Sequence, residues 1–374
     1  MTRAIYDPSS GGGSPNDTDS LRAWCTIDLE AVRQNVVALH TRSGVPVVPM
    51  VKADAYGLGA PAIAHAITSL GEAVWALGVA TPAEATALRT AGIEARLLCT
   101  SPVLANELPE LAAARCRPAL HRAEDIVRWQ QLAPSVPWHL AIDTGMQRAG
   151  VSWRAASTLR ALVASHPPEG VFTHFHSAER PDGSRERQEA LFRDVLAQLG
   201  VRTGTLRHAD NSWGVLAREG TPWDLVRPGF ALYAGPAADP ALHPVLHVHA
   251  RIVDLRDVEA GDTVSYGATW TATRASRVAT IGLGYGDGLR RALGGRALLH
   301  LHGQAVPIIG HITMDLTMLD VTEVPCALGD VVTVLGDDGH GGAVTLSALA
   351  AAGELSPYEL LTGWRLRLPR VYRP

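Results

Sequence analysis

Between residues 45 and 233 the sequence alternates short, apolar, β-like runs with longer Ala-, Leu-, Glu- and Arg-rich stretches, and this alternation limits the fold more than any other feature. The β-like runs span residues 45–52, 74–79, 95–100, 116–121, 138–143, 170–175, 206–210 and 225–233. Stretches between them, such as 82–90 and 185–198, carry a helical period. Eight strands, each but the last followed by room for a crossover helix, predict an α/β fold with a (β/α)8 TIM-type barrel. On pattern alone a doubly wound open sheet stays open, because nothing local proves closure.

The texture changes after about residue 242. Residues 243–253 alternate, and 262–264, 277–283, 297–302, 305–309, 315–321 and 330–335 read as short strands between Gly and Asp turns, a C-terminal mostly β domain. The segment 23–29 precedes the first barrel helix and is expected to pair with that domain. Residues 1–21, with their Ser-Ser-Gly-Gly-Gly-Ser-Pro run, read as a disordered tail. The expected division is therefore tail 1–21, barrel 22–241 and β domain 242–374.

Composition bounds the function. Hydrophobic residues make up 47% of the 374 positions, enough for the cores of two domains. With 33 Lys plus Arg against 37 Asp plus Glu, nucleic acid and anionic membranes are not expected partners. Cys25, Cys99, Cys116 and Cys326 lie far apart without a C-x-x-C pair, which fits reduced thiols. No leader or bilayer-length apolar run is evident, so a cytoplasmic protein is expected.

Barrel enzymes carry their chemistry at the carboxyl ends of the strands. Those positions hold Lys52 with Tyr56, then Arg148, His174, Ser212, Arg227 and Gly229. A lysine ending the apolar run Val45-Pro-Val-Val-Pro-Met-Val51 should have a lowered pKa, which suits bonding to a carbonyl compound. Taken alone, it would equally be a lysine snorkelling out of a strand end.

Its neighbours are more specific. Val51-Lys52-Ala53-Asp54-Ala55-Tyr56-Gly57-Leu58-Gly59 resembles the cofactor-lysine signature of the alanine racemase family. Further matches follow in order: Asp143-Thr144-Gly145-Met146-Gln147-Arg148, Thr173-His174-Phe175, Asn211-Ser212 and Leu225-Val226-Arg227-Pro228-Gly229. In the β domain they continue with Ser265-Tyr266-Gly267, Gly284-Tyr285-Gly286-Asp287-Gly288, Met314-Asp315 and Pro357-Tyr358-Glu359-Leu360-Leu361. The resemblance runs from about Arg22 to Tyr372.

It implies an enzyme that uses pyridoxal 5′-phosphate (PLP) to interconvert L- and D-alanine, or a similar small amino acid such as serine, in D-alanine biosynthesis. Lys52 would carry PLP and act as one proton-transfer base. Tyr56, Ser212, Gly229, Phe230 and Tyr358 would bind the cofactor, and Arg227 would face its pyridine nitrogen. Tyr266 would be the second base, supplied by the partner of a homodimer with shared active sites, aided by His174 and Arg148. Arg148, Tyr285, Met314 and Asp315 would bind and confine the substrate. No metal is expected.

The chain departs from the family pattern at several points. Ala141 stands where the family often has a lysine that can be carbamylated, leaving Arg148 without that anionic partner. His176, Trp213 and His311 are further departures. Three H-x-H pairs, His174/His176, His247/His249 and His300/His302, raise a metal-dependent TIM-barrel hydrolase as an alternative. A type-III PLP-dependent amino-acid decarboxylase would share both domains without needing Tyr266 or Arg227. A PLP carrier would lack the β domain.

Overall fold

The computed structural model describes residues 18–374, and its chain divides into two units: Leu29–Val245, and the residues up to Asp28 together with Leu246–Pro374. The expected tail lies outside the described residues as far as residue 17. Residues 18–21 are tied down within the second unit, where Arg251 donates to Thr18 O at 3.3 Å and to Leu21 O at 3.1 Å.

In the first unit, six parallel strands, Leu77–Val79, Leu97–Cys99, Cys116–Leu120, His139–Asp143, Gly170–Phe172 and Leu206–His208, pair in chain order. Two less regular segments close the ring. Val47 bridges both Val74 and Val226, and Leu225 bridges His208. Val48 N–H donates to Val226 O at 2.7 Å and Met50 N–H to Pro228 O at 3.0 Å. Closure decides between the two topologies the alternation allowed: the sheet is a barrel. Pro46 and Pro49 lack the N–H that a regular ladder needs, which accounts for isolated bridges at the first position.

The helices lie where helical periodicity was strongest, at Pro82–Thr90 and Ser184–Leu199 among others. One expected strand is shorter than its apolar run. Residues 225–233 read as β throughout, but Phe230–Tyr233 forms a short helix. The Ser212 hydroxyl oxygen accepts from the N–H groups of Gly229 and Ala231 at 3.0 and 3.1 Å, which turns the backbone out of the sheet.

The second unit is a closed antiparallel barrel of six strands. Around it run Leu246–Val258, Ser276–Ile281, Thr317–Asp320, Gln304–Ile309, Leu298–Leu301 and Val331–Asp337, the last pairing back onto the first. Leu246–Val258 manages this because it has neighbours on both edges: Arg251 bonds to Arg22 and Gly282 on one side, Ile252 to Gly329 and Asp330 on the other. Ala23–Asp28 pairs antiparallel with Leu246–Val258, as its sequence suggested, and parallel with Arg370–Arg373. It therefore counts with this unit, not with the barrel range 22–241. No helix among the described residues is long and apolar enough to cross a membrane.

The helix Leu29–Ser43 is fastened across the first unit by one buried polar side chain. Asn35 donates to Leu232 O and His243 O, both at 3.0 Å, and accepts from His243 N–H at 2.8 Å. Replacing it by Ala leaves three backbone groups without their partner, of which Leu232 O is buried and the two of His243 part-buried. Asn35→Ala should destabilise the protein by about 2–4 kcal/mol, read as a lowered midpoint in a urea titration; an unchanged midpoint would contradict this anchoring role.

Candidate active site

Lys52 stands at the carboxyl end of the first strand position, and the chain beyond it turns with the less common hand. Ala53, Asp54, Ala55 and Tyr56 all have φ between 51° and 58°, a left-handed turn built without glycine until Gly57. Each such residue costs on the order of 1 kcal/mol, so the turn must be held from outside. Glu84 does this with both carboxylate oxygens, accepting from Ala53 N–H at 2.8 Å and from Ala80 N–H at 2.7 Å. Asp54 adds a bond from Ala60 N–H at 2.7 Å.

Glu84 was not singled out from the sequence. There it looks like part of a helix-capping box, and Thr81 Oγ1 does accept from Glu84 N–H at 3.2 Å. Its carboxylate, however, reaches beyond the cap to the turn that follows Lys52. The composition holds a second signal: Lys52 is the only lysine in the chain.

The Lys52 amine forms no hydrogen bond or ion pair among the described residues. Burial lowers its pKa, the Arg148 and Arg227 charges lower it further, and Glu84 partly opposes them. Such an amine is more readily neutral, and hence nucleophilic, than an exposed lysine.

Arg227 is buried and held entirely by neutral acceptors. Its Nη1 donates to His208 Nδ1 at 2.9 Å, and its Nη2 to Thr173 O at 2.8 Å and Ala209 O at 3.2 Å. Nη2 also faces His174 Nδ1 at 3.4 Å. Burial draws its pKa down to about 10, so it still carries its charge at neutral pH. Its guanidinium lies 4.9 Å over the Phe172 ring.

Ser212 and Gly229 meet in the next turn. Because the Ser212 oxygen accepts two N–H bonds, its own hydrogen is left to donate elsewhere. A Cβ on residue 229 would lie 2.2 Å from the Tyr56 hydroxyl, so only glycine lets the two segments approach. Phe230 follows, its ring 6.0 Å from that of Trp213. Gln188 braces the loops around His174: its amide donates to Thr144 Oγ1 at 3.2 Å and His174 O at 3.1 Å. Arg148 is exposed at the loop after His139–Asp143. Ala141 packs with Ala119 and Phe172, an apolar cluster with no anion to offer it.

The remaining expected residues belong to the second unit. Tyr266 opens a tight turn and is 74% exposed. It shares a recess of about 480 Å³ with Tyr285, Arg290, His311, Thr313 and Arg365. A Cβ on Gly284 would come within 2.4 Å of Met314 O, which explains the glycine beside Tyr285. Asp315 is paired with Arg367 at 2.6 Å. Tyr358 sits half-exposed in the helix Pro357–Thr362.

Among the described residues, no three His, Cys, Asp or Glu side chains come together in a way that could hold a metal ion. Of the H-x-H pair at the barrel mouth, His174 turns to Arg227 and His176 Nδ1 to Ser177 Oγ at 2.8 Å.

The chain is similar to known proteins over nearly its whole described length. Residues 27–236 match the family model described as alanine racemase, N-terminal domain, and residues 245–372 the one described as alanine racemase, C-terminal domain. An alanine racemase of Sorangium cellulosum is 40% identical over 373 residues, covering 93% of this chain and 98% of the relative. The crystal structure of alanine racemase from D-cycloserine-producing Streptomyces lavendulae superposes with a TM-score of 0.87 at 32% identity, covering 94% of this chain and 97% of that one. One from Bartonella henselae, with covalently bound pyridoxal phosphate, gives 0.84 at 30% identity, covering 94% and 99%.

His174 supplies a test of the electrostatics. Burial first, then the charges of Arg227, Arg148 and Lys52, push its pKa down to about 3. The shift disfavours the charged ring, so His174 should stay neutral from pH 8 down to about pH 4, through the range where an ordinary histidine titrates. Histidine ring nitrogen shifts followed by NMR check this; a midpoint for His174 near 6.5 would contradict it.

Proposed function

This chain belongs to the alanine racemase family, and we propose that it interconverts L- and D-alanine with Lys52 and Tyr266 moving the proton on opposite faces of the substrate's Cα. The observation that carries this reading is the Lys52 amine: a sole lysine, half-buried at a strand end, unpaired, and made less basic by desolvation first and then by two guanidiniums.

PLP fits the residues present. Lys52, Arg148 and Arg227 form a cationic group whose side chains make no direct ion pair with a carboxylate among the described residues, and the Ser212 hydroxyl hydrogen has no protein acceptor. An anionic aldehyde suits that donor set. When bound, PLP withdraws electrons from the substrate's Cα so that its proton can leave.

The protein's own groups then divide the work. Lys52 would hold the cofactor covalently through Nζ; once the substrate's amine displaces it, the freed Lys52 amine would take or return the Cα proton on its face. Ser212 and Tyr56, with the backbone around Gly229 and Phe230, would bind the phosphate, and the family resemblance adds the Tyr358 hydroxyl. Arg227 would donate to the pyridine nitrogen, and because a guanidinium does not give up its proton, it would keep that nitrogen unprotonated. Electron withdrawal is thereby kept moderate, which favours return of the proton to Cα over its delivery to another carbon.

Tyr266 serves the other face. Its phenol must be helped to lose a proton, since an unperturbed tyrosine holds it to about pH 10. Neutral His174, whose Nδ1 is turned to Arg227, has its Nε2–H to donate to a phenolate, and Arg148 contributes positive charge and meets the substrate carboxylate. Tyr285 and Met314 narrow the space beside a methyl side chain, with Asp315 bracing them through Arg367. Tyr266 would come from the second subunit of a homodimer, so each site would need two chains.

Two experiments test this. Borohydride treatment of the purified protein with PLP should fix the cofactor to the peptide containing Lys52, and Lys52→Ala should lose turnover while keeping its fold. Tagging at the N-terminus alone would sink the assignment.

The dimer is tested by mixing. Lys52→Ala and Tyr266→Phe homodimers should each be nearly inactive. Random subunit exchange between them should restore about a quarter of wild-type activity per subunit, because half the dimers are mixed and each has one intact site. Persistent inactivity despite proven exchange would contradict shared sites.

A further inference from the structure

A TIM-type barrel ordinarily fills its interior with layers of branched aliphatic side chains. Here a row of polar groups runs through it from the carboxyl end to the amino end. Arg227 Nη1 meets His208 Nδ1 at 2.9 Å, His208 Nε2 meets His139 Nδ1 at 2.8 Å, and His139 Nε2 meets Glu169 Oε2 at 3.4 Å. Arg117 Nε closes the row on the same Glu169 oxygen at 2.5 Å. His139 and His208 are completely buried and Arg227 is 4% exposed, so no solvent competes for these groups.

The row is built into its surroundings. A Cβ on Gly170 would lie 2.5 Å from the His139 ring, so glycine is required there to admit it. Phe172 stacks on His208 with centroids 4.9 Å apart and planes 19° apart, and the same ring lies under the Arg227 guanidinium. Trp75 packs against His139 at 5.4 Å and under Arg117 at 5.5 Å. A buried polar network is costly wherever one member is unsatisfied, so its polarity has to be consistent along its length.

That polarity follows from the two ends. A guanidinium only donates, so His208 Nδ1 must be the bare acceptor and its hydrogen must sit on Nε2. His208 Nε2–H then requires a bare Nδ1 on His139, whose own hydrogen sits on Nε2. A carboxylate only accepts, so Glu169 receives it. Burial would raise the Glu169 carboxyl, but bonds from His139 and Arg117 hold it down to about 2, and burial lowers both histidines, leaving them neutral. Every hydrogen points from Arg227 towards Glu169.

We propose that His139 and Glu169 are positioning residues, which fix the tautomer of His208 and through it hold Arg227 with its donors aimed at the ligand site. The other tautomer of His208, which the other tautomer of His139 would impose, would set a donor against Arg227 Nη1 at 2.9 Å and release the guanidinium. The proposal rests on the reading of Arg227 as the group that faces the cofactor's ring nitrogen, but the row itself can be tested without it.

Histidine nitrogen NMR, with rings assigned by single substitution, should show His139 and His208 neutral with hydrogen on Nε2 in the protein with or without PLP. His139→Phe removes the acceptor for His208 Nε2–H. It should shift His208 away from that tautomer and weaken PLP binding, read by equilibrium dialysis, about tenfold or more. His139→Asn returns an oxygen near the Nδ1 position and should stay within about threefold of wild type. A wild-type ring with hydrogen on Nδ1 would overturn the proposal, as would equal PLP affinity in the Phe and Asn variants. Should the wild-type protein itself fail to bind PLP, the reading of the site falls, and the tautomers alone decide the row.

Discussion

Mutual repulsion among Lys52, Arg148 and Arg227 is the constraint around which the barrel mouth is organised. Their electrostatic effect reaches His174 as well, where it adds to burial in keeping the ring neutral. Bringing such cations together costs free energy that surface salt bridges would normally relieve. Here relief comes from elsewhere. Arg227 is anchored by carbonyl oxygens and an imidazole nitrogen, and Lys52 by losing its charge more easily. An anion at this mouth would be stabilised by all three, so the repulsion in the protein alone becomes attraction for an anionic ligand.

Holding charges in this arrangement requires rigid backbone close behind them. The left-handed turn after Lys52 is clamped by Glu84, and Gly229 allows that turn to pack against the loop carrying Ser212. Gln188 and the Thr144–Thr173 contact at 2.7 Å lock the neighbouring loops. In the second unit, Gly284 lets the Tyr285 segment approach the backbone of Met314, while Arg367 joins Asp287 and Asp315. The longest run of strained residues, Ala53 to Tyr56, thus follows directly on Lys52.

The barrel was legible because alternation of strand and helix periods survives in each segment, and helix Pro82–Thr90 has the bounds its pattern suggested. The helix at Phe230–Tyr233 was not, since four apolar residues carry no period and a hydroxyl from Ser212 decides their path. At the mouth, Lys52, Ser212, Arg227 and Gly229 could be read from local motifs. Glu84 could not, because its role depends on a carboxylate crossing from one βα unit to another. His139, Glu169 and His208 lie in three different strand regions, 30 to 69 residues apart, and only closure of the barrel joins them. Local sequence carries the groups proposed to touch the ligand; the groups proposed to orient them are visible only in three dimensions.

Proton movement on both faces of one carbon is the centre of this account, and reaction in deuterated water measures it directly. With the PLP-loaded protein and L-alanine, D-alanine should accumulate until the enantiomers are equal, and the D-alanine formed should carry deuterium at Cα. The reverse experiment from D-alanine should label L-alanine in the same way. Release of carbon dioxide, or deuterium entering a single enantiomer with no inversion, would contradict it.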